Sequence, residues 1–228
     1  MFVRGWITPR NEDVENMKCE TTLNECPAYE ELTEQESVCP VDWALRFVEA
    51  AQAASCGKST ICRDGLEQFQ AILSDIANGK GRPDDTRLME DLCQAVIADG
   101  DCGLTIKAAE AILHTIRTYP DVYEEHCIRK LCKKMVCSGC YSLYIDPAVC
   151  NGCGKCLQHA AGGAVSGGEG MIHVINDDSK LKNEDFLNSC PCGAIKKAGA
   201  VKPQVPEAPV PVGSFATGGL RRKRKSRI

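Results

Sequence analysis

The sequence predicts an α+β protein in which a helical bundle is followed by a small cysteine-rich α/β domain. Three observations support this prediction. Apolar residues recur at helical spacing through residues 41–131. Glycine and cysteine become frequent over residues 138–198, where the apolar runs are short enough for strands. The 228-residue chain also contains 16 cysteines, several of them two residues apart, and this clustering favours metal ligation over disulfides.

The first half of the chain predicts four helices joined by short connections, with a short fifth helix after them. Each segment carries an apolar stripe at helical spacing, and Asn78-Gly79 is a helix stop. Short connections favour antiparallel neighbours, so the expected arrangement is an antiparallel helical bundle. The predicted segments are residues 41–54, residues 66–77, a helix capped by Asp84-Asp85-Thr86, a helix capped by Thr105 that ends before Pro120, and residues 122–131.

The second half predicts short strands at residues 142–145 and 171–175 and a short helix before Cys190. The proline-rich residues 199–214 predict an extended linker with too few N–H donors to build a sheet. The predicted organisation has four parts. They are an acidic N-terminal arm at 1–37, a helical iron–sulfur and zinc unit at 38–137, a single-cluster domain at 138–198, and a linker with a disordered basic tail at 199–228.

Charge and hydropathy exclude several classes of function. The net charge is −4, and residues 221–228 alone carry six positive charges, so the rest of the chain sums to −10. An acidic body with a basic tip is not typical of a nucleic-acid-binding protein. No secretory signal is recognisable, and no run approaches the roughly 18 apolar residues of a membrane span. We therefore expect a cytoplasmic protein with reduced thiols and no membrane span.

The strongest motif places Cys150, Cys153 and Cys156 at two-residue gaps, with glycines that allow the backbone to turn around an iron–sulfur cube. It resembles the two-cluster bacterial ferredoxins, in which the fourth cysteine of each run ligates the other cluster. Cys190 is the surviving end of the second run, so Cys150, Cys153, Cys156 and Cys190 predict one complete 4Fe–4S cluster in a ferredoxin-like domain. The positions that would ligate the other cluster are lost together: Ala160, Lys180, Asn183 and Phe186.

A second motif covers residues 55–65 and continues at Cys102. It resembles the C-terminal iron–sulfur region of the NADH-binding flavoprotein subunit of respiratory complex I and of its hydrogenase and formate dehydrogenase relatives. In that family the pattern E-S-C-G-x-C-x-P-C-R-x-G, followed by a distant C-x-L-G, binds one 4Fe–4S cluster. Cys56, Cys62 and Cys102 match the first, third and fourth ligands, and Ser59 replaces the second. The resemblance implies a second iron–sulfur cluster, either a 3Fe–4S cluster on three thiolates or a 4Fe–4S cluster with the Ser59 oxygen or another ligand on the fourth iron. Buried thiols without a cluster are the alternative.

A third constellation comprises Cys39, His126, Cys132 and Cys137. The spacing H-x5-C-x4-C is a plausible tetrahedral zinc pattern. Relatives among the bifurcating hydrogenases that carry a ferredoxin module have a Cys-x-Val-Asp segment at this interval before the cluster motif. The resemblance therefore implies a structural zinc. Cys127 and Cys140 are competing ligands, and Cys93 is expected to be a core residue.

The resemblance covers about residues 38–198, and we expect no flavin- or NADH-binding domain in this chain. It implies a component that is not an enzyme by itself. The predicted function is an iron–sulfur subunit of a multi-subunit NAD(P)H-linked oxidoreductase, relaying single electrons between a flavoprotein and a partner. Its expected partners are that flavoprotein and other iron–sulfur subunits. The alternative is a structural or assembly subunit with eroded cluster sites that is held together by zinc.

Overall fold

The computed structural model describes residues 38–160, 162–201 and 203–215. The predicted acidic arm at 1–37 and the basic tail at 221–228 lie outside the described residues. The chain divides into two compact units, with the boundary between Cys140 and Tyr141. The first unit is helical and the second contains small antiparallel sheets. The predicted α+β class is therefore confirmed.

The helical unit is built from elements that follow one another with short connections. They are α1 (Pro40–Ala54), α2 (Thr60–Ala77), α3 (Asp85–Asp99), α4 (Gly103–Thr118), α5 (Pro120–Glu124), a π-helical turn (Glu125–Arg129) and a 3-10 turn (Ser138–Cys140). α1 packs on α2 and α4, and α3 packs on α4. Val48, Leu66, Phe69 and Ile112 are fully buried between them. Burying side chains of this size stabilises the unit by about 1.5–3 kcal/mol each.

Two helix starts differ from the prediction. α2 begins at Thr60, six residues earlier than expected, because the Ser59 side chain caps it by accepting a 3.3 Å hydrogen bond from the Cys62 backbone N–H. The predicted cap at Thr105 is wrong, because extended backbone at Cys102 already starts α4 at Gly103. Thr105 therefore lies inside the first turn, and it is fully buried.

The predicted fifth helix also differs in its bounds. It begins at Pro120 rather than at residue 122, since proline has no N–H to leave unsatisfied in a first turn. It continues as the π-helical turn and ends at Arg129, where Lys130 adopts left-handed backbone with φ 54°. The predicted end of α2 at Ala77 is confirmed.

The second unit is built from short strands and two short helices. They are β1 (Ser142–Ile145), α6 (Lys155–Gln158), β2 (Val165–Ser166), β3 (Met171–Ile172), β4 (Val174–Ile175), α7 (Glu184–Leu187), β5 (Ile195–Ala198) and β6 (Val210–Pro211). β1 pairs antiparallel with β5, with Ser142 opposite Ala198. β2 pairs antiparallel with β4, and β3 with β6. The predicted strand at 142–145 and the helix before Cys190 are confirmed.

Two predictions for this unit need correction. The strand expected at 171–175 is interrupted at His173, so its two halves pair with different partners. The linker expected to build no sheet does so at Val210–Pro211, because a proline still offers its carbonyl and the neighbouring Val212 N–H donates to the Gly170 carbonyl at 3.0 Å. No helix within the described residues is long and apolar enough to cross a bilayer.

Candidate metal centres

Four metal-ligating side chains converge inside the helical unit. The ligand atoms of Cys39, His126, Cys132 and Cys137 all lie within 4.8 Å of one another, and all four residues are buried. His126 Nε2 is 3.6 Å from Cys39 Sγ and 3.3 Å from Cys137 Sγ, and the two sulfurs are 3.7 Å apart. The structure thus brings together the whole predicted Cys3His set.

Three chain segments position these side chains. Cys39 is the N-cap of α1, and His126 is the second residue of the π-helical turn. Cys132 and Cys137 lie on a tight loop, in which the Met135 N–H donates to the Cys132 carbonyl at 3.0 Å. Met135 adopts left-handed backbone with φ 53°, which folds the loop back on itself. The two cysteines consequently face the same centre.

The electrostatics of this Cys3His cluster favour one ionised thiol, Cys132, while contacts with Cys132 and Cys39 raise the pKa of Cys137. Hydrogen bonds from Cys137 and Cys39 hold the pKa of Cys132 well below that of a free thiol. Burial would lower the pKa of His126, but its hydrogen bonds to Cys132 and Cys39 prevail and raise the pKa to about 10. A buried thiolate next to an imidazolium is a charge arrangement that a divalent cation can replace.

The geometry fits zinc. A tetrahedral ion with Zn–S of about 2.3 Å and Zn–N of about 2.0–2.1 Å separates two sulfurs by about 3.8 Å and a sulfur from a nitrogen by about 3.6 Å. The observed distances of 3.7, 3.6 and 3.3 Å are close to these edges. His126 Nδ1 donates to the Val122 carbonyl at 2.7 Å when Nε2 carries the ligand lone pair. This is the outer hydrogen bond that fixes the tautomer of a zinc-bound histidine.

The competing cysteines lie elsewhere. Cys127 Sγ is 3.7 Å from Thr86 Oγ1, and Cys140 Sγ contacts the carbonyls of Ile76 and Ala77. Cys93 is fully buried on α3, as expected for a core residue. Every cysteine among the described residues is a free thiol.

The second predicted site lies where the N-termini of α2 and α4 meet. Ser59 is the N-cap of α2 and Cys102 is the N-cap of α4. Cys62 and Cys102 are each 2% exposed and are hydrogen-bonded to each other. Cys56 is exposed, on a loop whose Ser55 hydroxyl lies 3.5 Å from Cys62 Sγ.

The surroundings of these thiols suit an anionic cluster. Burial raises the pKa of Cys102, while the N–H groups of Thr105 and Leu104 donate to its sulfur and oppose that rise. Two helix N-termini direct positive dipole ends at the site. The buried Thr105 hydroxyl, at the position where the relatives' C-x-L-G pattern has glycine, has no hydrogen-bond partner. These features fit an iron–sulfur cluster held by three thiolates, with an oxygen at the fourth position.

The third predicted site lies in the second unit. Burial and the charges of Cys150, Cys190 and Cys153 raise the pKa of Cys156 to about 11, because the four thiols lie close together. The Ala194 N–H donates to Cys190 Sγ at 3.3 Å. A cluster bound to the four sulfurs would remove the repulsion between ionised thiols and accept such N–H groups. The donor set therefore fits a 4Fe–4S cluster.

His173 is a neighbour of this site that sequence reasoning left without a role. Its Nδ1 lies 3.8 Å from Cys150 Sγ, its Nε2 is buried without a partner, and its side chain is 1% exposed. Burial lowers its pKa. The histidine in the middle of the apolar run Met-Ile-His-Val-Ile was the available signal, because burying an imidazole costs free energy unless its nitrogens have hydrogen-bond partners.

The positions at which the ferredoxin resemblance places ligands of a second cluster have structural roles. Phe186 is fully buried. Asn183 caps α7 by accepting the Phe186 N–H at 2.8 Å, and its own side-chain amide donates to the Lys180 carbonyl.

Comparison with known proteins finds a family match in the helical unit. Residues 42–126 match the family described as the NADH-ubiquinone oxidoreductase-F iron-sulfur binding region. The match contains Cys56, Ser59, Cys62 and Cys102. It confirms the resemblance predicted from that motif, while the ferredoxin-like resemblance of the second unit stays a prediction.

The chain matches only part of the length of each relative. The chain is 32% identical to the HndC component of the NADP-reducing hydrogenase of Solidesulfovibrio fructosivorans over 71% of this chain and 33% of that protein. It is 32% identical to the F component of the NADH-quinone oxidoreductase of Streptomyces coelicolor over 42% of this chain and 22% of that protein. Identity with the corresponding F 2 component of Rhizobium meliloti is 30%, over 42% of this chain and 23% of that protein. The chain thus spans about a third or less of these relatives.

Proposed function

We propose that this chain is the electron-transfer part of a multi-subunit NAD(P)H-linked oxidoreductase, because residues 42–126 match the NADH-ubiquinone oxidoreductase-F iron–sulfur binding region. Clusters in its two units relay single electrons between a flavoprotein and a partner. The chain holds the clusters and does not itself carry out hydride transfer. The observation that carries this proposal is the convergence of Cys62 and Cys102 at two helix N-termini inside the matched region.

The proposal assigns an architecture to each unit. The first is an antiparallel helical bundle that holds one cluster at Cys56, Ser59, Cys62 and Cys102. The second is a ferredoxin-like domain with a single 4Fe–4S cluster at Cys150, Cys153, Cys156 and Cys190. The pairing of β1 with β5, the position of Cys156 on α6 and the position of α7 before Cys190 support that assignment.

Zinc at the Cys3His cluster is the structural part of the proposal. The buried tetrahedron ties the start of α1 to the π-helical turn and the Cys132–Cys137 loop, which are distant in sequence. Zinc binding of this kind stabilises a fold because the ligand set does not exist in the unfolded chain. The proposed location of the protein is cytoplasmic, where such thiols stay reduced.

A structural or assembly role is the second candidate, and a specific observation favours it. Non-thiol residues stand at Ser59 in the first unit and at all four positions of the second ferredoxin cluster, Ala160, Lys180, Asn183 and Phe186. A chain that has lost ligands and kept a complete Cys3His cluster could serve to dock other subunits. In that case zinc, without iron, would hold it together.

Reversible reduction separates the two functions. The full chain is purified and reconstituted without oxygen and titrated with a low-potential reductant while EPR spectra are recorded. The electron-transfer function predicts signals that appear on reduction and disappear on reoxidation. It also predicts that Cys102→Ala and Cys190→Ala each remove a different signal. A chain that holds no EPR-active cluster under these conditions contradicts electron transfer and favours the structural role.

A further inference from the structure

Ser59 stands at the second ligand position of the motif, where the relatives have cysteine, and its side chain is hydrogen-bonded to a carboxylate. Ser59 is 3% exposed and its hydroxyl donates to Asp101 Oδ1 at 2.5 Å. Ser59 Oγ also accepts a hydrogen bond from the Cys62 N–H at 3.3 Å. Asp101 directly precedes Cys102, so the pair links the two helix ends that present the buried thiols.

We propose that Asp101 is the positioning residue that holds Ser59 Oγ at the fourth ligand position of the cluster in the helical unit. This inference rests on the proposed cluster at Cys56, Cys62 and Cys102. If Oγ bound iron, its O–H bond would break and the proton would leave to water, which reaches the exposed Asp101 side chain beside it. No electron is transferred in this step.

Three observations favour Ser59 as the ligand over Asp101: its place in the motif, its burial and its hydrogen bond. Ser59 lies on the cluster-binding motif, and it is buried beside Cys62, whereas Asp101 is exposed. The hydrogen bond between them orients the hydroxyl proton toward Asp101 and leaves an oxygen lone pair for a metal.

The ligand type has a consequence for the redox potential. Oxygen is a harder donor than sulfur and stabilises the oxidised iron more strongly. Serine in place of cysteine should therefore lower the potential of this cluster relative to its thiolate-ligated equivalent. Asp101 is a positioning residue in this scheme.

The test isolates the helical site within the full chain. A background variant carries Cys153→Ala and Cys190→Ala, so the second unit holds no cluster. Into this background are placed Ser59→Gly, Ser59→Cys and Asp101→Asn. Glycine is chosen because it costs only a few tenths of a kcal/mol at an N-cap, which keeps α2 folded. Asp99→Asn, an exposed position two residues from Asp101, is the matched control.

The background protein is expected to hold a four-iron cluster. Ser59→Gly should lower the iron-to-sulfide ratio by about a quarter and produce the oxidised-state EPR signal of a three-iron cluster. Ser59→Cys should keep four irons and raise the potential. Asp101→Asn should lose the fourth iron to a ferrous chelator about 10- to 100-fold more readily, and Asp99→Asn should behave like the background protein.

Contrary outcomes are distinguishable. A three-iron cluster in the background protein, or an unchanged iron-to-sulfide ratio in Ser59→Gly, overturns the ligand assignment while leaving the proposed electron transfer intact. A larger iron loss in Asp101→Asn than in Ser59→Gly would make Asp101 the ligand and overturns the assignment to Ser59. Absence of iron from the background protein contradicts the cluster itself, and the ligand assignment with it.

Discussion

His126 Nε2 lies 3.3 Å from Cys137 Sγ, although the two residues are eleven positions apart and belong to different turns. The contact depends on the π-helical turn, which carries the imidazole toward the loop that holds Cys132 and Cys137. It closes a buried tetrahedron with Cys39 at the start of α1. The stability of the helical unit should therefore depend on an ion bound between these four side chains.

Replacing His126 by alanine should remove zinc and destabilise the helical unit. A ligand at a free concentration 1,000 times its Kd stabilises the native state by about 4.1 kcal/mol, so losses of this order are expected. Thermal unfolding and zinc analysis of the full chain measure both effects. His114→Ala is the matched control, because His114 is an exposed histidine on α4. Unchanged zinc content in His126→Ala would refute the assignment.

Replacing Cys93 should affect stability and leave the metal content unchanged. Cys93 is fully buried, and burial together with the charge of Glu90 raises the pKa of its thiol to about 12. Cys93→Ala should cost about 1 kcal/mol of unfolding free energy, and Cys93→Ser should cost about 1–3 kcal/mol because its hydroxyl would be buried without a partner. Chemical denaturation gives these differences. A loss of iron or zinc in Cys93→Ala would show that Cys93 is a ligand.

The same thiol should resist alkylation in the native protein. The high pKa keeps it protonated at pH 8, and burial denies the reagent access. The exposed Cys192 should be alkylated in the same sample, which makes it the internal control. Mass spectrometry of iodoacetamide-treated full chain reads both sites, and rapid native-state labelling of Cys93 would contradict its place in the core.

Phe186 should be a core residue of the second unit. Phe186 is fully buried, so Phe186→Ala should lower the unfolding free energy of the second unit by about 3–5 kcal/mol. Phe186→Leu keeps most of the volume and should cost much less. Denaturant titration of the two variants gives the comparison. Equal stabilities would mean that Phe186 does not fill this space.

His173 should tune the potential of the proposed cluster at Cys150, Cys153, Cys156 and Cys190. When its proton is on Nδ1, which lies 3.8 Å from Cys150 Sγ, the N–H stabilises negative charge on the sulfur and so favours the reduced cluster. His173→Phe should lower the midpoint potential, as measured by an EPR-monitored titration. His159→Phe, at an exposed position in the same unit, is the control. A potential that is equal in the two variants would exclude this role.

Gly167 offers a second route to the same question. A Cβ at this position would come within 2.3 Å of His173 Cδ2, so Gly167→Ala should push the imidazole away from Cys150. The expected potential shift has the same sign as that of His173→Phe, with the histidine still present. A shift of opposite sign would indicate that the ring acts through something other than its contact with the sulfur.

Sequence reasoning predicted most of what depends on local pattern. Period-3.6 stripes gave the helices of the first unit. Ligand spacing indicated His126, Cys132 and Cys137, and the family resemblance added Cys39, before their proximity was visible. It misplaced the start of α4, because extended backbone at Cys102 was not readable and Thr105 is a common capping residue in other contexts. The pairing of Val210–Pro211 with β3 was missed for a similar reason, since long-range strand partners leave no local signature.

The relationships that matter most for the sites were also long-range. Ser59 and Asp101 are 42 residues apart, and Cys150 and His173 are 23 residues apart. Nothing in the spacing of either pair indicates contact. The serine at position 59 was visible in the sequence, but the carboxylate that holds its hydroxyl in place is brought to it by tertiary packing.

Metal analysis of the full chain decides most directly whether this protein transfers electrons. The protein is purified without oxygen, and iron, acid-labile sulfide and zinc are counted per chain. The proposed function predicts enough iron and sulfide for clusters in both units, together with one zinc per chain. Cys190→Ala should lose iron and keep its zinc. Zinc with no iron or sulfide in the anaerobically purified and reconstituted chain would contradict electron transfer.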